Sequence, residues 1–358
     1  VAFAAIPFGD RLILSGGTVI ELQVAKIDAA LLYIFAMLSL GVYGVILAGF
    51  ASRNNYAIMG GLRATAQMIS YEIALGIAVV GVIMVYGTMD LGELVRAQGY
   101  LIGGWIPLWG FVVQPVAFVI FVTAALAETK RLPFDLPEGE SEIIGYFVEY
   151  SGMKFGMFLF TDFVETIMVA CVATTLFLGG WQIPFLQAGD VSNWAFVAIG
   201  MASFSIKVII FCWFFMQLRW TLPRFRYDQL MSLGWKVLVP LSFLNLVPPT
   251  AALFYGWPLW VLTVVGLGVL AALGFANAGW YSVLQGQLYS AMPGQSGTVI
   301  AVKNVSGIAG SLVPLGIGVA ARAWGLGPAI WLLIAGPVAL ALGLPQGSGN
   351  TGQVQRPD

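Results

Sequence analysis

Nine apolar runs, at 29–50, 66–87, 104–127, 155–178, 195–218, 237–256, 258–277, 297–320 and 324–345, constrain this chain more than any other feature of its sequence. Each is long enough, at about 20 residues, to cross a bilayer as a helix. With 59% of its 358 residues hydrophobic and only 9% charged, the chain lies far from the composition of a soluble globular domain. Its mean hydropathy of +0.90 points the same way. The runs predict an all-α, polytopic transmembrane helix bundle of about nine spans, and the strand alternation of a β-barrel is absent. Arg53 and Arg63, then Lys130, Arg131 and Lys154, then Arg219, Arg224, Arg226 and Lys236 fall in three loops, which the positive-inside rule places together on the cytoplasmic side. So modest a basic content asks for no nucleic acid.

Six of the chain's 17 acidic residues, Glu128, Asp135, Glu138, Glu140, Glu142 and Glu149, lie between Ala127 and Gly152, flanked by two apolar runs. Carboxylates beside hydrocarbon are costly to keep ionised, so a membrane protein that retains them uses them for proton or ion handling or for docking. The other reading is a solvated acidic loop. Glu128 stands three residues before Arg131, and on a continuing helix the two would share a face and pair. Pro133 and Pro137 cannot continue that helix. The segment around Arg131, Phe134 and Asp135 is therefore expected as irregular backbone that is buried in protein or lines a cavity wall. Glu138, Glu140 and Glu142 alternate with Gly139 and Ser141, a crowding in which not all can ionise cheaply.

Further ionisable groups fall inside the apolar runs. Glu72 has no basic residue within a helical turn, and Asp162 and Glu165, three apart, share a helix face. Lys207, in the middle of 195–218, is expected to face one of these carboxylates. Arg63, Arg224, Arg226 and Asp228 serve either as topology anchors or in docking. Histidine is absent, and Cys171 and Cys212 are not spaced as ligands, so the sequence supports no metal site, cluster or disulfide.

Four blocks, FASRNNYAIMGGLRATAQMISYEIALG, AETKRLPFDLPEGESEIIGYFVEYSG, TLFLGGWQIP and TLPRFRYDQLMSLGWKVLVPLSFLNL, resemble in sequence and in order the H-subunit family of proton-translocating NADH:quinone oxidoreductase, respiratory complex I. The resemblance implies a component of a bacterial inner-membrane enzyme that walls a quinone cavity and couples quinone reduction to proton movement. It implies no cofactor in this chain, with quinone as substrate and with NADH, FMN and iron–sulfur clusters handled by partner subunits. Those partners are peripheral quinone-module subunits and antiporter-like membrane subunits, in a lipid bilayer. By the same resemblance Glu72, Glu128, Glu138, Glu140, Glu142, Asp162, Glu165 and Lys207 are placed on the proton path. Arg131, Phe134 and Asp135 fall to the quinone-cavity wall, and Arg63, Arg224, Arg226 and Asp228 to docking.

Where some members carry a glutamate this chain has Ser39, so the path is expected either to begin differently or to lean on Tyr43, Tyr71 and water. The opening VAFAAIPFG resembles the end of the family's second helix, and the segments before it are expected to be missing. From Pro248 onward the text resembles the last helices of a major facilitator transporter, dividing the chain into a core at 1–247 and a tail at 248–358. The alternative functions are the homologous membrane component of a membrane-bound hydrogenase or formate hydrogenlyase and, for the tail alone, a secondary transporter.

Overall fold

Apolar runs in a bilayer must satisfy their own backbone hydrogen bonds, and the helix does so within each segment. The computed structural model describes residues 2–13, 18–102, 106–135, 145–184, 186, 192–221 and 224–277. The helices are α1 Ala30–Ala51, α2 Asn55–Tyr86, α3 Leu91–Gln98, α4 Gly110–Val113, α5 Pro115–Glu128, α6 Met153–Phe177, α7 Asn193–Thr221, α8 Tyr227–Leu233, α9 Val239–Asn245, α10 Val247–Tyr255 and α11 Trp260–Asn277. Two short hairpins, Leu12–Ile13 with Val19–Ile20 and Leu101–Ile102 with Ile106–Pro107, decorate this all-α bundle. Among the described residues five helices are long and apolar enough to cross a membrane, and two apolar ones are shorter. The runs expected at 297–320 and 324–345 lie outside the described residues.

Three helices depart from their expected bounds for identifiable reasons. α2 starts at Asn55, within what reads as a loop, because the Asn54 side chain caps it by accepting from the Tyr56 N–H at 2.9 Å. Its small residues Ala57, Gly60, Gly61 and Ala64 then bury one stripe. The run at 104–127 breaks at Gln114, whose backbone leaves the helical region ahead of Pro115. The Gln114 amide instead donates to the Gly81 carbonyl of α2 at 2.8 Å. α5 keeps 14 residues, roughly 21 Å, short of the hydrocarbon thickness. The sixth span begins at Tyr227, passing through α8, a π turn at Gly234–Leu238, α9 and α10.

α2 occupies the centre, against α1 on one side and α5 and α9 on the other. The three basic loops meet at one end, as their charge predicts. Asn54 donates to Glu149 at 2.6 Å, the Arg63 guanidinium lies 5.3 Å from the centre of the Tyr227 ring, and the Phe225 N–H donates to the Pro133 carbonyl at 3.1 Å. One compact unit runs from Val1 to Leu270, past the expected division at 247. Ala252 and Leu262 account for this, being buried in one cluster with Leu108 and Val113.

Candidate functional site

α5 ends at Glu128, and the chain turns sharply because Lys130 adopts a left-handed backbone with φ 53°. This turn prevents the Glu128–Arg131 pair expected on a continuing helix. Arg131 is carried away to stack on Phe163, its guanidinium 4.8 Å from the ring centre. The following backbone is irregular, as the prolines predict, and is held from three sides. Gln67 of α2 donates to the carbonyls of Ala127 at 2.6 Å and Phe134 at 2.8 Å, and Arg224 donates to the carbonyl of Asp135. The Phe134 ring is buried between Tyr71, at 5.6 Å, and Phe225, at 5.5 Å.

Lys130 takes the place in the site that the sequence assigns to Arg131. Its side chain is 6% exposed, and its ammonium lies 3.1 Å from Asp162 Oδ1 and 3.5 Å from Glu165 Oε2. Both carboxylates project from one face of α6. The returning loop adds Tyr146, whose ring centre is 5.9 Å from the Lys130 ammonium. Burial pushes the Tyr146 phenol up to about 12. Burial alone would pull the Lys130 ammonium down, but Glu165, Tyr146 and Asp162 beside it hold it above its ordinary value. Glu128 is 3% exposed, and its Oε2 has no hydrogen-bond partner among the described residues. Its nearest charged influences are Glu165, Glu72 and Lys130. Glu72 accepts a hydrogen bond from Ser39.

A cavity of about 400 Å³ adjoins this cluster, between α1, α2 and α6. Met37, Gly41, Gly44, Met68 and Phe158 form its apolar wall, and Lys130, Tyr146, Asp162 and Glu165 its polar floor. Arg131, Phe134 and Asp135 are not among its lining residues; Arg131 stacks on Phe163 of α6, and Phe134 packs between Tyr71 and Phe225.

Elsewhere several expectations are corrected. Among the described residues Lys207 faces no carboxylate. Its ammonium donates to the backbone carbonyls of Leu178 at 2.8 Å, Gly180 at 2.9 Å and Gln182 at 2.6 Å, and sits 4.4 Å from the Trp109 ring centre. It thereby satisfies carbonyls around the end of α6, where the helix dipole favours a cation. Tyr43 faces outward at 64% exposure, and the Tyr71 hydroxyl donates to the Leu230 carbonyl, so neither stands in for the glutamate absent at Ser39. Arg226 and Asp228 pair with each other at 3.6 Å on the exposed surface, whereas Arg63 and Arg224 are engaged within the chain. Glu138, Glu140 and Glu142 lie outside the described residues. Sequence reasoning left out Lys130 and Tyr146. The available signal was a lysine two residues from Glu128 at the edge of hydrocarbon.

The model of a family described as NADH dehydrogenase matches residues 1–250. The NADH-quinone oxidoreductase H-1 subunit of Cytophaga hutchinsonii is 44% identical over 245 residues, which cover 68% of this chain and 70% of that protein. The H subunit of the Thermomicrobium roseum enzyme is 48% identical over 247 residues, covering 68% and 69%. The H-2 subunit from Geobacter sulfurreducens is 44% identical over 260 residues, covering 72% and 71%. The matched residues include the helices and loop that carry the buried charges, and the chain belongs to the NADH dehydrogenase family, alongside these H subunits of NADH-quinone oxidoreductase.

Proposed function

We propose that this chain is the membrane subunit of a proton-translocating NADH:quinone oxidoreductase, bordering the site where quinone is reduced and passing protons through its buried carboxylates. The observation that carries the reading is the cluster of Glu128, Asp162 and Glu165 around a single lysine, beside a cavity and beneath irregular backbone. Buried carboxylates that outnumber their counter-ion cannot all be charged cheaply, so the cluster holds a proton that it can exchange. Glu72 extends it toward α1 through Ser39. Glu138, Glu140 and Glu142 follow in the same acidic segment of the sequence and belong to the same path, and Arg131, Phe134 and Asp135 border the quinone. Electrons come from NADH through FMN and iron–sulfur clusters in peripheral subunits, antiporter-like subunits continue the membrane arm, and the assembly sits in a bacterial inner membrane.

The test is Asp162→Asn against Asp162→Glu in the assembled complex. Asn cannot titrate, so quinone reductase activity in membrane vesicles is expected to fall on the order of a hundredfold, while Glu keeps the acid and most of the rate. Equal, near-normal rates in both variants would remove Asp162 from the path.

Arg226 and Asp228, exposed at the basic end, are the residues of this loop best placed to meet a peripheral partner. Replacing both with Ala is expected to weaken retention of the peripheral arm at low salt and to reduce its dependence on salt, since exposed charges are screened. Co-purification at low and high salt measures this, and unchanged retention at both would leave them as topology anchors.

A further inference from the structure

Lys130 is not accounted for by the loop's role as a cavity wall. A non-glycine residue in left-handed backbone is strained and persists where its surroundings hold it. Here that backbone turns the side chain from the loop toward α6, where its ammonium meets Asp162 and Glu165 at 3.1 and 3.5 Å. Among the described residues, the groups that face it from the neighbouring elements are Asp162 and Glu165 on α6, Glu128 at the end of α5 and Tyr146 on the returning loop. Arg131 acts on Glu165 from the next position, and Glu72 of α2 acts on Glu128. Lys130 is thus the cation that Glu128 on α5 and the acidic pair on α6 have in common.

We propose that Lys130 is a positioning residue for the proton path, the charge that fixes how the cluster's proton is shared between α5 and α6. With its ammonium on Asp162 and Glu165, those two carboxylates are compensated and the exchangeable proton resides on Glu128. When a proton arrives on the α6 pair, the ammonium is freed toward Glu128, which then releases its own proton onward to Glu72 or water. One proton enters on the α6 pair and one leaves from Glu128; the entering proton then passes to Glu128, directly or through water, as the ammonium returns to the pair, and the starting state is restored. This proposal rests on the proton-path reading given above.

The experiment compares Lys130→Gln, Lys130→Arg and the double variant Lys130→Gln/Glu165→Gln in assembled complex in sealed vesicles, with NADH oxidation by an artificial acceptor used to normalise the amount of enzyme. Lys130→Gln is expected to slow quinone reduction about tenfold or more and to move its pH optimum toward alkaline values, because without the cation the cluster releases its proton less readily. Lys130→Arg is expected to restore at least half the rate and the original profile, and the double variant, which removes one charge of each sign, to return the pH profile toward its original position while the rate stays low, since Glu165 belongs to the path. A wild-type rate and pH profile in Lys130→Gln would overturn the proposal. So would a slowed Lys130→Gln whose profile is unmoved and which Lys130→Arg does not recover, since that is the signature of packing alone. Glu128→Gln measured alongside separates the two readings. Normal proton translocation in Glu128→Gln refutes the proton path itself, whereas a defective Glu128→Gln beside a normal Lys130→Gln refutes only the role of Lys130.

Discussion

Gly110→Ala is expected to abolish accumulation of the assembled complex, although Gly110 touches none of the buried charges. Gly110 opens α4 directly against the end of α6, where an added Cβ would run into the Leu176 carbonyl oxygen and lie 3.0 Å from the Phe177 Cα. Both obstacles are backbone, which cannot swing aside as a side chain can. The junction is also fixed by Gln98, which accepts from the N–H groups of Gly110 at 3.2 Å and Gly179 at 3.0 Å and donates to the Thr175 carbonyl at 2.9 Å. Overpacking of this kind costs about 3 kcal/mol or more, a large share of a membrane domain's margin. Gly76→Ala is the control, because an added Cβ there meets nothing within 4 Å and gains helix propensity. Native gels of solubilised membranes give the measurement, and a normal level of complex in Gly110→Ala would contradict this packing.

Hydropathy made the spans legible, since helices are the form in which such runs satisfy their backbone in lipid. Their ends were less so. Asn54 as a cap and the buried small stripe of Ala57, Gly60, Gly61 and Ala64 carry α2 well into an apparent loop, and neither raises hydropathy enough to announce a span. The break at Gln114 was signalled by Pro115 alone. At the site, the carboxylates could be read because acids beside hydrocarbon are conspicuous, and the irregular backbone could be read from its prolines. Their partners could not. Helical spacing assigned Glu128 to Arg131, but a left-handed Lys130 redirected the chain, a conformation that nothing in the side chain of lysine favours. Lys207 was assigned to a carboxylate by charge, yet three carbonyls around the end of α6 satisfy it, because helix termini leave strong acceptors that a sequence does not display.

The second large effect is expected from Glu128→Gln. Glu128 is buried, and its Oε2 makes no hydrogen bond among the described residues, so the substitution removes no contact that holds α5 to its neighbours. Gln retains the volume and the hydrogen-bonding capacity of glutamate but cannot take up or release a proton at neutral pH. A structural glutamate would tolerate the change, whereas one that relays protons would not. Because Glu128 interacts electrostatically with Glu165, Glu72 and Lys130, silencing it would interrupt the proposed path. Quinone reduction coupled to this path is expected to slow about a hundredfold, with the complex assembled in normal amount. The decisive measurement is the rate of NADH-driven quinone reduction together with proton uptake in sealed vesicles carrying Glu128→Gln complex. Both are expected to collapse while oxidation of NADH by an artificial acceptor stays normal, and wild-type quinone reduction with wild-type proton uptake would contradict the account.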